Sequence, residues 1–167
     1  MTARIYVGTY AKYNGGSIAG KWLDLEDYAD KEEFLKAAAE LHKDEADPEL
    51  MYQDFEGFPR GFYNESSINE KLWDWLDLSH DDRELLAVYQ DHVNAEADID
   101  DAREAFEGRY DRKLDWAYDR LDSSGEMDSI PEHLQHYFDY DRYIQDFDAN
   151  GWYFIRHDGD VWVFRPI

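Results

Sequence analysis

Residues 152–165 read WYFIRHDGDVWVFR, two aromatic-rich apolar runs on either side of Asp158-Gly159. An Asp-Gly pair supplies the positive backbone φ angles that a two-residue turn needs, and β-branched and aromatic residues favour the flanking strands. The stretch therefore predicts an antiparallel β-hairpin, which makes the last third of the chain a mixture of helix and sheet.

The two segments before this hairpin have helical patterns. The segment DRKLDWAYDRL (111–121) places its leucines and Ala117 on one face. In PEHLQHYFDYDRYIQDF (131–147), Pro131 suits the first turn of a helix, so we expect one helix over this segment.

The first part of the chain predicts a β-rich unit with one helix. Three runs rich in β-branched and aromatic residues favour strands: RIYVGTYAKY (4–13), SIAGKWLDL (17–25) and LMYQDFEGF (50–58). The Asn-Gly-Gly at 14–16 is a hairpin signal between the first two runs. Asp30 with Glu33 predicts the start of a helix over 32–43.

The middle of the chain lacks proline and glycine from Phe62 to Glu104 and predicts helices. Two are expected, each after a serine: INEKLWDWLDL (68–78) after Ser66 or Ser67, and HDDRELLAVYQDHV (80–93) after Ser79. We therefore predict an α+β fold, an elongated chain of three small domains at 1–61, 62–105 and 106–167.

The net charge is −23, with 40 acidic against 17 basic residues in a chain of 167. Such self-repulsion opposes a compact state, so it calls for a reason, either a basic partner or solubility in high salt. It argues against direct binding to nucleic acid or to an anionic membrane. The three predicted domains carry −6, −10 and −7, so the acidity is not a detachable tail.

The composition also limits the available chemistry. There is no cysteine, which excludes disulfides and zinc–thiolate sites. No apolar run is long enough to span a membrane and no signal-peptide pattern is present, so we expect a soluble, cytoplasmic protein.

Two short motifs match ligand-binding loops incompletely. The glycines of 15–21 fit G-x-x-x-x-G-K, but Trp22 follows where a P-loop needs Ser or Thr. Residues 146–151 fit the first half of a calcium loop, but His157 occupies the position of the bidentate Glu, so a helix end is the simpler interpretation.

No pattern predicts a catalytic, cofactor or metal site. His133 and His136 lie three residues apart on a predicted helix, but two ligands do not make a site. With 40 carboxylates in the chain, pairs of acids carry no information about catalysis.

One explanation of the high negative charge is that the protein imitates a polyanion such as DNA. Duplex DNA carries one charge per roughly 1.7 Å of axis, so 23 charges correspond to about 39 Å of duplex. A symmetric dimer would double that length to roughly two turns, the span of a bipartite recognition site. The competing explanation is an acidic surface adapted to salt.

Five strings resemble the ArdA family of antirestriction proteins and occur in the family's order. They are RIYVGTYAKYN (4–14), GKWLDL (20–25), HKDEADPELMYQDFEGFP (42–59), EAFEGRYD (104–111) and IPEHLQHYFDYDRYIQDF (130–147). The resemblance implies a non-enzymatic, dimeric DNA mimic carried on plasmids and conjugative transposons. It implies binding to type I restriction–modification enzymes in place of DNA, and a fold of three small domains in a row. It also places residues 130–147 near a dimer interface.

From these arguments we expect an acidic surface that meets the methyltransferase core of a type I enzyme. We call it the acidic set: Asp74, Asp77, Asp81, Asp82, Glu84, Asp91, Glu96, Asp98, Asp111, Asp115 and Asp119. The expected homodimer interface is the aromatic set: Tyr137, Phe138, Tyr140 and Tyr143. No cofactor, nucleic acid or membrane is expected as a partner. A salt-adapted acidic enzyme or a calcium-binding module is the alternative.

Overall fold

The computed structural model describes residues 2–167, which form two compact units. The first unit ends at Ser79 and the second runs from His80 to Ile167. Each contains helices and one three-stranded antiparallel sheet, so the predicted α+β class is confirmed. The three-domain division stays a prediction, and the boundary after Ser79 lies inside its middle domain.

The first unit packs one long helix on its sheet. Its elements are β1 (Arg4–Thr9), α1 (Tyr10–Asn14), β2 (Lys21–Asp24), α2 (Lys31–Leu41), β3 (Leu50–Glu56) and α3 (Leu72–Leu76), with strand order β2-β1-β3. Ile5 and Val7 alternate along β1 and are fully buried in a core that includes Phe34 and Ala38 of α2. The alternation therefore fixes which face of β1 meets the helix.

The helix start predicted at Asp30 is confirmed. The Asp30 side chain accepts a 2.9 Å hydrogen bond from the Glu33 backbone N–H, and the Glu33 side chain accepts one from Ala29. These bonds satisfy amides that have no partner within the helix.

The strand and hairpin predicted over residues 4–25 are partly wrong. The strand β1 stops at Thr9, whose hydroxyl accepts a 3.2 Å hydrogen bond from the Lys12 backbone N–H and so caps α1. The strands β1 and β2 do pair antiparallel, but α1 and a loop connect them instead of a tight turn at 14–16.

The helix predicted over 68–78 is shorter than expected, because α3 covers only Leu72–Leu76. Ahead of it, Tyr63 and Ile68 form an isolated antiparallel bridge. The predicted serine cap is also wrong, since the Ser66 hydroxyl bonds the phenol of Tyr10.

The second unit places helices around a sheet of order β4-β6-β5. Its elements are α4 (His80–His92), α5 (Ile99–Ala105), β4 (Phe106–Tyr110), α6 (Lys113–Ser124), α7 (Tyr140–Ala149), β5 (Tyr153–His157) and β6 (Asp160–Phe164). The predicted hairpin is confirmed, with Asp158 at φ 50° and Gly159 at φ 83° in its turn. The strand β4 was not predicted; Gly108 at φ 140° interrupts its pattern.

The single helix predicted over 131–147 is wrong. A 3-10 helix covers Glu132–Tyr137, and α7 begins only at Tyr140. Between them the Asp139 side chain accepts a 3.0 Å hydrogen bond from the Arg142 backbone N–H, so Asp139 is the N-cap of α7. The chain therefore changes direction within the aromatic set.

Candidate functional site

The acidity is distributed over both units. Residues 1–79 hold 17 acidic and 8 basic residues, a net charge of −9, and residues 80–167 hold 23 and 9, a net charge of −14. Within the acidic set eight side chains are exposed, and Asp82, Glu84 and Asp115 are half-buried. The predicted set therefore lies largely at the surface, but its members differ in what they contact.

Two of the half-buried members accept hydrogen bonds from arginines, and the third, Glu84, lies 4.0 Å from Arg109. The Arg103 guanidinium donates to Asp82 at 2.6 Å. Arg112 donates to both carboxylate oxygens of Asp115, at 2.9 and 3.1 Å, and this hydrogen bonding lowers the pKa of Asp115. These carboxylates present less net charge to a partner than the sequence suggests.

Two exposed members have structural roles. Asp98 accepts from the Asp101 backbone N–H at 3.0 Å while Asp101 accepts from Asp98 N–H, a capping box at the start of α5. Asp119 accepts a 2.9 Å hydrogen bond from the phenol of Tyr110. Burial, followed by this bond, raises the pKa of Tyr110 to about 12.

The other exposed members are surface charges on three segments of the chain. These members are Asp74, Asp77, Asp81, Asp91, Glu96 and Asp111. None of them forms an ion pair within residues 2–167. Their carboxylates are hydrated and available to a cationic partner. The acidic set therefore contains two kinds of carboxylate: those that are bonded to other groups of the protein, which we call engaged, and those that are exposed and hydrated.

Most of the aromatic set is half-buried and packs within the second unit. Tyr143 stacks on Trp116 with ring centroids 6.1 Å apart, and Tyr140 packs edge-on against Tyr118 at 4.8 Å. Phe138 contacts both Tyr140 and Tyr143, at 4.9 and 5.6 Å. Three of the four rings therefore help to build this unit's own core.

Tyr137 differs from the rest of the aromatic set. Its side chain is 75% exposed, with its ring beside that of His136. Among the described residues of the second unit, four further large apolar side chains are exposed, including Leu134 at 43% and Tyr118 at 45%. The dimer interface stays a prediction, and Tyr137 is the member of the set with the most surface to offer it.

In the first unit, a polar cluster that includes the buried His42 surrounds the ammonium group of Lys12. His42 is 2% exposed, its Nε2 bonds the carbonyl of Val7 at 3.0 Å, and its Nδ1 accepts from Lys12 at 2.7 Å. Lys12 also pairs with Asp44 at 2.9 Å and Glu45 at 3.2 Å. The hydrogen bond to Asp44 raises the pKa of Lys12. His42, Asp44 and Glu45 have metal-ligand spacing, but a side-chain cation already lies among them.

Two other groups with metal-ligand spacing lie in the second unit and share Glu84. One joins Glu84 to His157 and Asp158, and the other to His80 and Asp81. No sequence pattern indicated the first group, because Glu84 lies on α4 and His157 closes β5. The second group lies within one turn of α4, so the four-residue spacing of His80 and Glu84 could have indicated it. The histidines considered from the sequence, His133 and His136, lie in the 3-10 helix Glu132–Tyr137 and belong to neither group.

The two incomplete motifs have ordinary structural roles. The glycine-rich segment 15–21 leads into β2 at Lys21, so a strand follows where a P-loop has a helix. The segment 146–151 ends α7, which is followed by β5 at Tyr153 and not by the exit helix of a calcium loop. Within residues 2–167 no helix is both long and apolar enough to cross a bilayer.

The model of the family described as Antirestriction protein (ArdA) matches residues 5–161. No curated protein sequence matches the chain. The matched region includes every residue of the acidic set and of the aromatic set.

Proposed function

The chain belongs to the ArdA family of antirestriction proteins, and from this premise we propose that it inhibits type I restriction–modification enzymes by mimicking B-form DNA. It occupies the DNA-binding groove of the methyltransferase core, so that lysines and arginines that would meet phosphates meet carboxylates instead. It acts as a stoichiometric inhibitor and not as an enzyme.

The observation that carries this proposal is the placement of hydrated carboxylates on both units. Asp74 and Asp77 extend the acidic surface of the first unit, and Asp81 and Asp91 lie on α4 of the second. A groove built for DNA presents many cations spaced along its length. Many separate carboxylates match such a groove better than one deep charged pocket would.

The binding energy comes from long-range attraction and from the release of counterions. Ions condensed along the basic groove, and those around the acidic chain, return to solution when the two surfaces meet. Each exposed pair contributes little, on the order of 0–1 kcal/mol, so the affinity is shared among many contacts.

A homodimer extends the imitation to a bipartite DNA site. One chain corresponds to about 39 Å of duplex by charge, and two chains to roughly two turns. The exposed Tyr137 and Leu134 offer apolar area for the contact between chains. A small interface poor in acids suits two chains that repel each other.

The cellular setting is part of the proposal. An antirestriction protein encoded by a plasmid or conjugative transposon protects that element from the recipient's restriction enzymes. We place its action in the cytoplasm, where those enzymes meet incoming DNA.

The test is a restriction assay with a purified type I enzyme and unmodified plasmid DNA. Cleavage is expected to fall with the molar ratio of inhibitor to enzyme, and excess cognate DNA is expected to compete with the inhibitor for the methyltransferase core. Full cleavage at saturating protein, with no binding to the core, would reject the proposal. A salt-adapted enzyme or a calcium-binding module predicts that outcome.

A further inference from the structure

One cluster in the second unit has the composition of a transition-metal site. It joins the middle of α4 to the turn of the β5–β6 hairpin through the side chains of Glu84, His157 and Asp158. His157 Nε2 lies 3.4 Å from Glu84 Oε1 and 3.5 Å from Asp158 Oδ2. The three ligand atoms all lie within 4.8 Å of one another.

These separations are too long for hydrogen bonds, which run from about 2.7 to 3.2 Å for an N–H donor and an oxygen acceptor. They lie within the range of an ion pair, and they also match the spacing of ligands that share a metal ion. Zinc bonds to imidazole nitrogen and carboxylate oxygen are about 2.0–2.2 Å, so the edges of a tetrahedral site are about 3.3–3.6 Å. Both measured distances from His157 fall within that range.

A second imidazole lies beside Glu84. His80 is one helical turn before Glu84 on α4, and their ligand atoms lie within 4.8 Å. Residues four apart share one face of a helix, so His80 projects on the same side of α4 as Glu84. Among the described residues, no group with ligand spacing joins His80 to His157 or Asp158, so its side chain has to rotate to become the fourth ligand. Two neutral imidazoles and two anionic carboxylates form a set of ligands that suits zinc.

The neighbouring arginine leaves the required oxygen available. Arg109 approaches Glu84 at Oε2, at 4.0 Å, whereas His157 faces Oε1. The stronger bond of Arg109 is to Asp160, at 2.9 Å. In the first unit, by contrast, the ammonium of Lys12 lies among His42, Asp44 and Glu45 and takes the place of an ion.

The cluster is also accessible from solvent. The side chain of Asp158 is 73% exposed, that of His157 35% and that of Glu84 23%. An ion can therefore enter without unfolding the unit, while Glu84 gives the site one ligand in a partly desolvated position.

We propose that Glu84, His157 and Asp158, with His80 as fourth ligand, bind one Zn²⁺ ion per chain and tie α4 to the β5–β6 hairpin. The inference rests on the geometry of this cluster and is independent of the antirestriction proposal.

The test is calorimetric titration of the tag-free 167-residue chain with ZnCl₂ in a large excess of Mg²⁺. Magnesium occupies nonspecific carboxylate sites but does not displace zinc from a site that has imidazole ligands. One saturable site per chain is expected. Zinc is also expected to raise the melting temperature, because it binds the folded state.

Two variants identify the ligands. His157→Ala removes the central imidazole, and Asp158→Asn removes a carboxylate while keeping a residue that tolerates the positive φ of this turn. Each is expected to weaken zinc binding by at least about 10- to 100-fold, the loss typical even of outer-shell changes. His133→Ala is the matched control, an exposed imidazole outside the cluster, and should bind zinc like the wild type.

NMR spectra of the histidine rings provide a second measurement of zinc binding that is independent of calorimetry. The resonances of His157 and His80 are expected to shift on addition of one equivalent of zinc, while those of His133 stay in place. The proposal is overturned if the wild type shows no saturable site, or if both variants bind zinc with unchanged affinity.

Discussion

Arg103 on α5 donates a 2.6 Å hydrogen bond to Asp82 on α4, so one of the acids predicted to face a partner is neutralised within its own unit. The contact raises the pKa of Arg103 and joins two neighbouring helices. The number of acidic residues alone therefore overstates how many carboxylates the second unit offers to a basic groove, so the engaged acids have to be distinguished from the hydrated ones.

The first prediction concerns ionic strength. Affinity for the type I enzyme is expected to fall steeply as salt rises, because counterions are released from both surfaces. Binding measured by fluorescence anisotropy at several salt concentrations gives the slope of log affinity against log salt. A flat plot between low and physiological ionic strength would contradict an electrostatic mechanism.

The second prediction concerns the hydrated acids. Asp74→Asn or Asp91→Asn alone is expected to leave inhibition nearly intact, since one exposed charge contributes at most about 1 kcal/mol. Several such changes together are expected to weaken inhibition progressively. Inhibition constants from the restriction assay check this. Complete loss from one change, in a variant that still folds, would point to a localised hot spot instead.

The third prediction separates charge from structure at Asp98. Asp98→Ala is expected to lower the free energy of unfolding by about 1 kcal/mol, because it removes the side-chain acceptor that caps α5. Asp98→Asn keeps a capping side chain, so stability should stay close to that of the wild type although the charge is lost. Urea denaturation of both variants provides the comparison, and equal stabilities would show that the cap contributes nothing.

The fourth prediction distinguishes two tyrosines of the aromatic set. Tyr137→Ser is expected to shift a dimer towards monomer with little change in folding, because this side chain is 75% exposed. Tyr143→Ala is expected to lower the free energy of unfolding by at least about 2 kcal/mol, because its ring packs on Trp116 in the core.

Sedimentation velocity over a dilution series measures the association. High salt should tighten the dimer, since it screens the repulsion between two acidic chains, while it loosens the inhibitor from its target. A wild-type chain that is monomeric at every concentration and salt level would remove the dimer from the proposal.

The fifth prediction concerns alkaline pH. Burial and the bond to Asp119 raise the pKa of Tyr110 to about 12, above the ordinary value of 10.0. Below pH 10 the phenol is protonated in both states and its contribution to stability is complete. From pH 10 to 12 the unfolded chain loses this proton more readily than the folded one, so stability falls.

NMR titration of ¹³C-labelled tyrosine rings measures that pKa directly. Asp119→Asn is expected to lower the pKa of Tyr110 towards 10. In Tyr110→Phe the loss of stability between pH 10 and 12 should be smaller than in the wild type. It should not vanish, because burial also raises the pKa of Tyr52 to about 12. An unchanged pKa in Asp119→Asn would show that burial alone sets it.

Local sequence signals predicted the elements that depend on neighbours in the chain. The turn at Asp158-Gly159 and the helix start at Asp30 were both correct, because backbone φ preferences and side-chain caps act over two to four residues. Two further caps were present in the sequence and could have been read. Thr9 ends β1 and starts α1, and Asp139 divides the segment 131–147.

Other features depended on residues far apart in the chain. The strand β4 contains Gly108 and exists by pairing with β6, about 50 residues away, as the contact of Arg109 with Asp160 illustrates. The cluster of Glu84, His157 and Asp158 likewise joins distant segments, and the spacing of residues within either segment does not predict this cluster.

The sequence by itself determined the net charge, the α+β class and the resemblance to the ArdA family, because composition and local patterns are properties of the chain. Only the tertiary structure decided what each charged or aromatic side chain does. It paired Asp82 with Arg103, 21 residues away, packed Tyr143 against the core residue Trp116 and left Tyr137 exposed. The physical reason is that an ion pair or a ring contact depends on distance in space, which folding sets and spacing along the chain does not.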